Sequence, residues 1–267
     1  MNRLQQWFPY NYKNLGGERQ CNNFYNSYAD GPLQVFCFPS AGSGAQLYRT
    51  WREKTKDQPC INFIPVEIPG RGNHIHRPAA TSIDELLADF LPVFADVVQG
   101  SYVLYGHSFG ALVAFLLAHS LQENGFLPPE KLIVAGRHAP HMHDPSLLNS
   151  ASTDAEITAE LKKMGGTPAV LLNHPEMLQF TLQQLRGDLR THESFHYCGQ
   201  KLQIPVEAHC GMHDDADLTV MDYWREVTAG SFQIQEFFGH HFFIQSLGDI
   251  YLKNLLKTLN NTYKSSH

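Results

Sequence analysis

From Leu33 onward, short apolar runs alternate with longer stretches of helical spacing. The runs LQVFCF, CINFIPVEI, SYVLYG, KLIVAG, IPVEAHC and FQIQEFF each read as a strand. Helix signals lie between them. Ser82-Ile83-Asp84-Glu85 is a capping box, and Leu86, Leu87, Phe90, Phe94 and Val97 follow at helical spacing. Pro92 is predicted to kink that helix. GALVAFLLAHSLQENG is apolar on nearly all sides in its first half, as a helix buried against a sheet must be, and Gly125 is a plausible stop. In IQSLGDIYLKNLLKTL, Leu252, Leu255, Leu256 and Leu259 fall on one face. Continuous apolar strands alternating with helices predict an α/β protein, a mainly parallel sheet with helices on both faces.

Residues 140–200 break the alternation, with helix signals but no strand. Thr153-Asp154-Ala155-Glu156 is a second capping box; Ile157, Leu161 and Met164 follow on one face, and Gly165-Gly166 end the helix. Pro175 opens a further helix with Leu178, Leu182, Leu185 and Leu189 on one side. Two amphipathic helices between strands predict a lid inserted into one domain spanning residues 1–267, the alternative being extra core packing. The first 30 residues are rich in Asn, Tyr and Gly, without periodicity.

Composition narrows the class. Twenty basic against 26 acidic residues give a net charge of −6, which argues against nucleic acid, since that partner needs a concentrated basic surface. No stretch approaches the roughly 18 consecutive apolar residues of a membrane span, and the N-terminus lacks the apolar core of a secretory signal. The five cysteines, Cys21, Cys37, Cys60, Cys198 and Cys210, are an odd number without a CxxC pair. They read as reduced, mostly buried thiols of a cytoplasmic protein. A monomer is the default expectation.

The strongest chemical signal is Gly106-His107-Ser108-Phe109-Gly110, a G-x-S-x-G set directly between a strand and a buried helix. So tight a turn strains the serine backbone, and the flanking glycines let strand and helix approach. Ser108 is the candidate nucleophile. A serine nucleophile needs a base, and the base an orienting carboxylate, in the chain order Ser, Asp or Glu, His. IPVEAHCGMHDDADL places Asp214, Asp215 and Asp217 after one strand; a turn opened by Gly211 brings Asp214 to the strand end, and Asp217 is second choice, as a helix cap. FFGHHFFIQ places His240 and His241 after the next strand, and spacing alone does not choose between them. The oxyanion donors expected are the amide of Phe109 and one from the loop FCFPSAGSGA, Ala41 first and Ser40 second.

Taken together, FPSAGSG, IPGRG, YGHSFGALVAF, GRHAP, GGTPAVLLNHPEM, LRGDLRTHESF, CGMHDD and GHHFFI resemble the type II (external, editing) thioesterases of nonribosomal peptide and polyketide synthases, over nearly the whole chain from Leu33. Three departures stand out: Ser43 replaces a usual glycine, Asp215 a frequent proline, and His240 a glycine. The resemblance implies an α/β-hydrolase fold and hydrolysis of acyl thioesters from the 4′-phosphopantetheine arm of acyl- or peptidyl-carrier proteins, with no cofactor of the enzyme's own. It also selects His241 as the base, because the family histidine directly precedes an aromatic pair, here Phe242 and Phe243.

Two other readings compete. One is a carboxylesterase, lipase or acyl-CoA thioesterase on the same fold; the other is a binding module without catalysis. Carrier proteins are often acidic, so docking on this acidic chain calls for a local basic or apolar patch. Arg137, Lys162, Lys163, Arg186 and Arg190 lie in or beside the insertion, although ordinary solvated charge explains any one of them equally well. His138, His141, His143 and Asp144 have a spacing that suggests a metal site, but the proposed chemistry needs none. His74 and His76 read as surface loop residues.

Overall fold

The computed structural model describes residues 3–13, 15, 31–98, 100–143, 148–167 and 169–266. Cys21, Asp144 and residues 16–30 lie outside them. All six predicted strands form: β1 Leu33–Phe38, β2 Ile61–Pro65, β3 Tyr102–His107, β4 Lys131–Ala135, β5 Val206–Gly211 and β6 Phe232–Phe237. They make one sheet in the order β2-β1-β3-β4-β5-β6, and every neighbouring pair is parallel. The helices are α1 Arg3–Trp7, α2 Arg49–Thr55, α3 Ile83–Val97, α4 Phe109–Glu123, α5 Asp154–Met164, α6 Ala169–Leu172, α7 Pro175–Glu193, α8 Leu218–Met221, α9 Phe243–Ser246 and α10 Asp249–Ser266.

Strands β1 to β5 read as largely apolar runs because both faces of the sheet are covered there, whereas the edge strand β6, FQIQEF, alternates and is only partly buried. Successive side chains of a strand point to opposite faces. Phe36, Leu104, Leu132 and Val134 enter one core with α3 and α4. Val35, Val103, Tyr105 and Ile133 enter the other with Trp51 of α2 and Tyr251, Leu255 and Leu259 of α10. Buried on all sides, α4 joins the first core through residues from Phe109 to Leu121.

The helix ends follow the sequence closely. Thr153 and Glu156 form the full reciprocal box at α5, and Gly165, at φ 74°, ends it. At α3 the box is displaced: Ser82 Oγ accepts from the Glu85 amide at 3.1 Å, but the Glu85 carboxylate turns back to the Thr81 amide at 2.7 Å. Helix α3 runs unbroken through Pro92. The segment between β4 and β5 holds three helices, the short α6 being added to the two expected. Ile157, Leu161, Leu182 and Leu185 give α5 and α7 a small core of their own, against which Ala41 packs. His74 corrects a reading made from sequence. It is buried, not on the surface, because Trp7 of α1 stacks edge-on to its ring at 4.7 Å. Burial lowers its pKa to about 4. His76 is exposed as expected.

A buried polar network ties four strands to α10. The Glu207 carboxylate receives Lys131 Nζ at 2.7 Å, His209 Nε2 at 3.1 Å, Gln235 Nε2 at 2.6 Å and Thr258 Oγ1 at 2.9 Å. His209 Nδ1 meets the Tyr251 hydroxyl at 2.7 Å, which meets that of Tyr105 at 2.9 Å. Burial alone would raise the Glu207 carboxyl, but the bond and charge of His209 and the Lys131 ammonium outweigh it and hold it at about 2. An unfolded glutamate titrates near 4.3. The stabilisation is therefore complete above that value and is lost as pH falls toward the folded pKa. Glu207→Gln is expected to cost roughly 3 kcal/mol at neutral pH. Thermal unfolding measured down to about pH 3 should show the gap between variant and native protein closing.

Candidate active site

The turn from β3 into α4 places Ser108 at φ 54° and ψ −119°, the only positive φ of a non-glycine residue among those described. Such a conformation costs on the order of 1–3 kcal/mol and persists only when its surroundings enforce it. Here the Ser108 amide donates to the Ala135 carbonyl at 2.8 Å, and its carbonyl accepts from Ala111 at 2.9 Å. The flanking glycines are obligatory on space. A Cβ on Gly106 would lie 2.2 Å from the Gly110 carbonyl oxygen, and one on Gly110 would lie 2.2 Å from that of Phe38. Gly110→Ala is therefore expected to lower stability by about 1–3 kcal/mol, read as an earlier urea midpoint.

At the end of β5 the Asp214 amide closes a turn onto the Gly211 carbonyl at 3.1 Å, as the sequence predicts. The Asp214 carboxylate meets His241 Nδ1 at 3.1 and 3.2 Å. Burial alone would raise the Asp214 carboxyl, but the hydrogen bond and charge of His241, with help from His107 and the Ala216 amide, hold it below the usual range. Asp217 instead caps α8, accepting from the Val220 amide at 3.0 Å, and Asp215 is exposed. The adjacent histidines part company: His240 is exposed, with Nδ1 3.1 Å from the His213 carbonyl. His241 Nε2 is buried and has no hydrogen-bond partner among the described residues. The link from Ser108 Oγ to that nitrogen is thus not made as a hydrogen bond here.

His107 supplies a support that the sequence reading did not single out. Its Nε2 donates to the His241 carbonyl at 2.9 Å, since a carbonyl only accepts. Burial first, and then the neighbouring His241 charge, lower its pKa to about 3. The ring is thereby kept neutral and Nε2 remains a donor. Phe242 lies edge-on to the His241 ring at 5.1 Å, and Gly166 packs so closely on Phe242 that a Cβ there would lie 2.2 Å from the ring.

The Phe109 amide is the first of α4 and has no acceptor within the helix. In the loop after β1, the amides of Gly42, Ser43 and Ala45 are engaged, with Asp188, the Ser40 carbonyl and Glu67. Those of Ser40 and Ala41 have no acceptor among the described residues. Strand pairing β1–β3 sets Phe38 beside Gly106, so this loop and the Ser108 turn leave the sheet side by side.

The thioesterase domain family matches residues 33–262. The chain belongs to that family. It is 32% identical over 243 residues to the protein named linear gramicidin dehydrogenase LgrE of Brevibacillus parabrevis, covering 87% of this chain and 90% of the relative. The structure of BorB, a type II thioesterase from the borrelidin biosynthetic cluster, superposes with a TM-score of 0.76 at 29% identity, covering 89% of this chain and all of BorB. YbtT, a type II thioesterase from the yersiniabactin NRPS/PKS pathway, gives a TM-score of 0.76 at 28% identity, covering 88% of this chain and 95% of YbtT. These neighbours share the α/β-hydrolase fold, and this chain has it.

The thioesterase carries one more feature at the site. Arg71 of IPGRG and Asp188 of LRGDLR, both buried, form an ion pair beside the loop of Ala41. A signal for it was present in sequence: Asp188 stands three residues after Leu185, itself three after Leu182, on the buried stripe of a helix. A carboxylate in such a stripe requires a partner. Among the described residues no group of three or more His, Cys, Asp or Glu side chains is arranged to hold a metal; His141 Nε2 lies 3.1 Å from Glu226. No helix among them is long and apolar enough to cross a membrane. Of the described thiols, Cys37 and Cys210 are buried, Cys60 is half-buried and Cys198 is exposed.

Proposed function

We propose that this thioesterase hydrolyses acyl thioesters held on the 4′-phosphopantetheine arm of acyl- or peptidyl-carrier proteins, clearing stalled or wrongly primed groups from a nonribosomal peptide or polyketide synthase. The observation that carries the reading is the Asp214–His241 hydrogen bond beside the strained turn of Ser108, in a chain whose structural neighbours include type II thioesterases of such pathways.

In the mechanism, His241 Nε2 takes the Ser108 proton as Oγ attacks the thioester carbonyl. Asp214 holds Nδ1 and with it the tautomer that leaves Nε2 basic. The amides of Phe109 and Ala41 receive the developing oxyanion. The C–S bond breaks, and the thiol departs with the proton from His241. Its pKa of roughly 8.5 makes it a good leaving group. Water then repeats the cycle on the acyl-serine and releases the acid. The enzyme supplies no cofactor. The helices of residues 140–200 act as a lid over the acyl chamber, and their exposed basic residues, Lys162, Lys163 and Arg190, offer one docking surface for an acidic carrier. The chain works as a cytoplasmic monomer.

A dehydrogenase reading, suggested by the name of LgrE, is disfavoured at the turn after β1. A dinucleotide pyrophosphate binds to free amides in such a turn. Here carboxylates already occupy two of them, Asp188 on Gly42 at 2.7 Å and Glu67 on Ala45 at 3.1 Å. The test compares hydrolysis of one acyl group on a carrier protein, on coenzyme A and on an aryl oxygen ester. The carrier thioester is expected to give the highest kcat/KM. Preference for coenzyme A would make the protein an acyl-CoA thioesterase, and preference for the aryl ester a carboxylesterase.

A further inference from the structure

The loop carrying Ala41 is held from two sides by buried carboxylates. Glu67 accepts the Ala45 amide at 3.1 Å. Asp188, on α7, accepts the Gly42 amide on Oδ2 at 2.7 Å. Arg71 sits between them: Nη1 lies 2.8 Å from Asp188 Oδ2, Nη2 bonds Oδ1, and Nη1 also donates to the Ser43 carbonyl at 2.5 Å. The Arg71 and Asp188 side chains are each only 3% exposed. Such a pair is weak evidence for stability, because desolvation offsets much of its attraction. What distinguishes this one is the third bond, from a main-chain amide next to Ala41. Gly42 is at φ 72° and lies against Leu185, one turn before Asp188. The loop therefore takes its shape from α7, through a residue 146 positions after Gly42 in the chain.

We propose that Asp188, its carboxylate held by Arg71, is a positioning residue for the oxyanion loop. Fixing the Gly42 amide orients the peptide that follows Ala41, and with it the free Ala41 amide. The donor pair of Ala41 and Phe109 is then complete only while α7 is seated on the loop. Lid placement and oxyanion stabilisation become one state of the protein. The inference rests on the assignment of Ser108 as nucleophile and of Ala41 and Phe109 as donors.

Two double variants isolate the third bond. Arg71→Met with Asp188→Asn, and Arg71→Met with Asp188→Leu, both remove the ion pair without leaving either partner's charge unpaired, and the loss of Arg71 beside Glu67 is common to the two. Only the first retains an oxygen for the Gly42 amide. With a short acyl thioester of N-acetylcysteamine, kcat of the Leu variant is expected on the order of 10²-fold below that of the Asn variant. KM should agree within about twofold, as for an interaction made in the transition state. Affinity for a trifluoromethyl ketone, which adds to a serine and leaves an oxyanion, should fall by the same factor as kcat. A side chain that merely held the fold together would move the thermal midpoint without splitting kcat from KM. Equal kcat and equal ketone affinity in the two variants would overturn the inference alone. Failure of the native protein to form any ketone adduct on Ser108 would overturn the catalytic assignment beneath it. Asp188→Glu, which keeps the charge but lengthens the arm, is a further check. It should lower kcat with KM retained, and unchanged kcat would count against the proposal.

Discussion

Ser108→Ala is expected to lower thioester hydrolysis by about 10⁴- to 10⁶-fold, with the fold intact. The loss is chemical: Gly106-His107-Ser108-Phe109-Gly110 holds no other hydroxyl or thiol, and the helix end beneath it serves an oxygen at that place alone. The fold survives because the turn is built from main chain. The Ser108 amide bonds the Ala135 carbonyl, its carbonyl bonds the Ala111 amide, and alanine keeps the same Cβ at φ 54°. The strain is thus unchanged, and the thermal midpoint should stay within about 3 °C. Thiol release followed with a chromogenic disulfide measures the first quantity and circular dichroism the second. Turnover retained at more than a few per cent of the native rate would mean that acyl transfer uses another nucleophile. A collapsed midpoint would mean that the hydroxyl itself holds the turn.

The elements most legible in the sequence were those whose reason is local. Five apolar runs became strands because both faces of the sheet are buried there, and the alternating run FQIQEFF became the partly exposed edge strand β6. The Ser108 turn was legible because Gly106 and Gly110 are required by backbone contacts within five residues and by one neighbouring strand. Asp214 was separable from Asp217 by turn length and capping alone. The misses share a different cause. His74 is buried by Trp7, from a helix of only five residues, too short to give a period. The pairing of Arg71 with Asp188 joins residues 117 positions apart, and no local pattern states which buried arginine answers which carboxylate. His107 was visible within its motif, but its bond to the His241 carbonyl depends on how two strand ends converge. Local chemistry named the candidate reacting groups, whereas tertiary packing chose the side chains around them.

The second large effect separates two neighbours. His241→Ala is expected to lower kcat about as far as Ser108→Ala, by about 10⁴-fold or more, while His240→Ala should stay within about threefold of the native rate. Adjacent residues in an extended turn point in opposite directions, so one strand end can present only one imidazole inward. The inward ring is that of His241: Nδ1 is fixed by Asp214 at 3.1 Å, its main chain by His107 at 2.9 Å, and its edge by Phe242. These contacts leave Nε2 unpartnered among the described residues, so its lone pair is available to accept a proton. His240 spends its Nδ1 on the His213 carbonyl and is exposed, so its removal frees one surface carbonyl to water. Rates of both variants on the same carrier-bound acyl group, with midpoints matched, decide the matter. If His240→Ala were the inactive one, the Asp214–His241 pair would be structural and the catalytic register would lie one residue earlier.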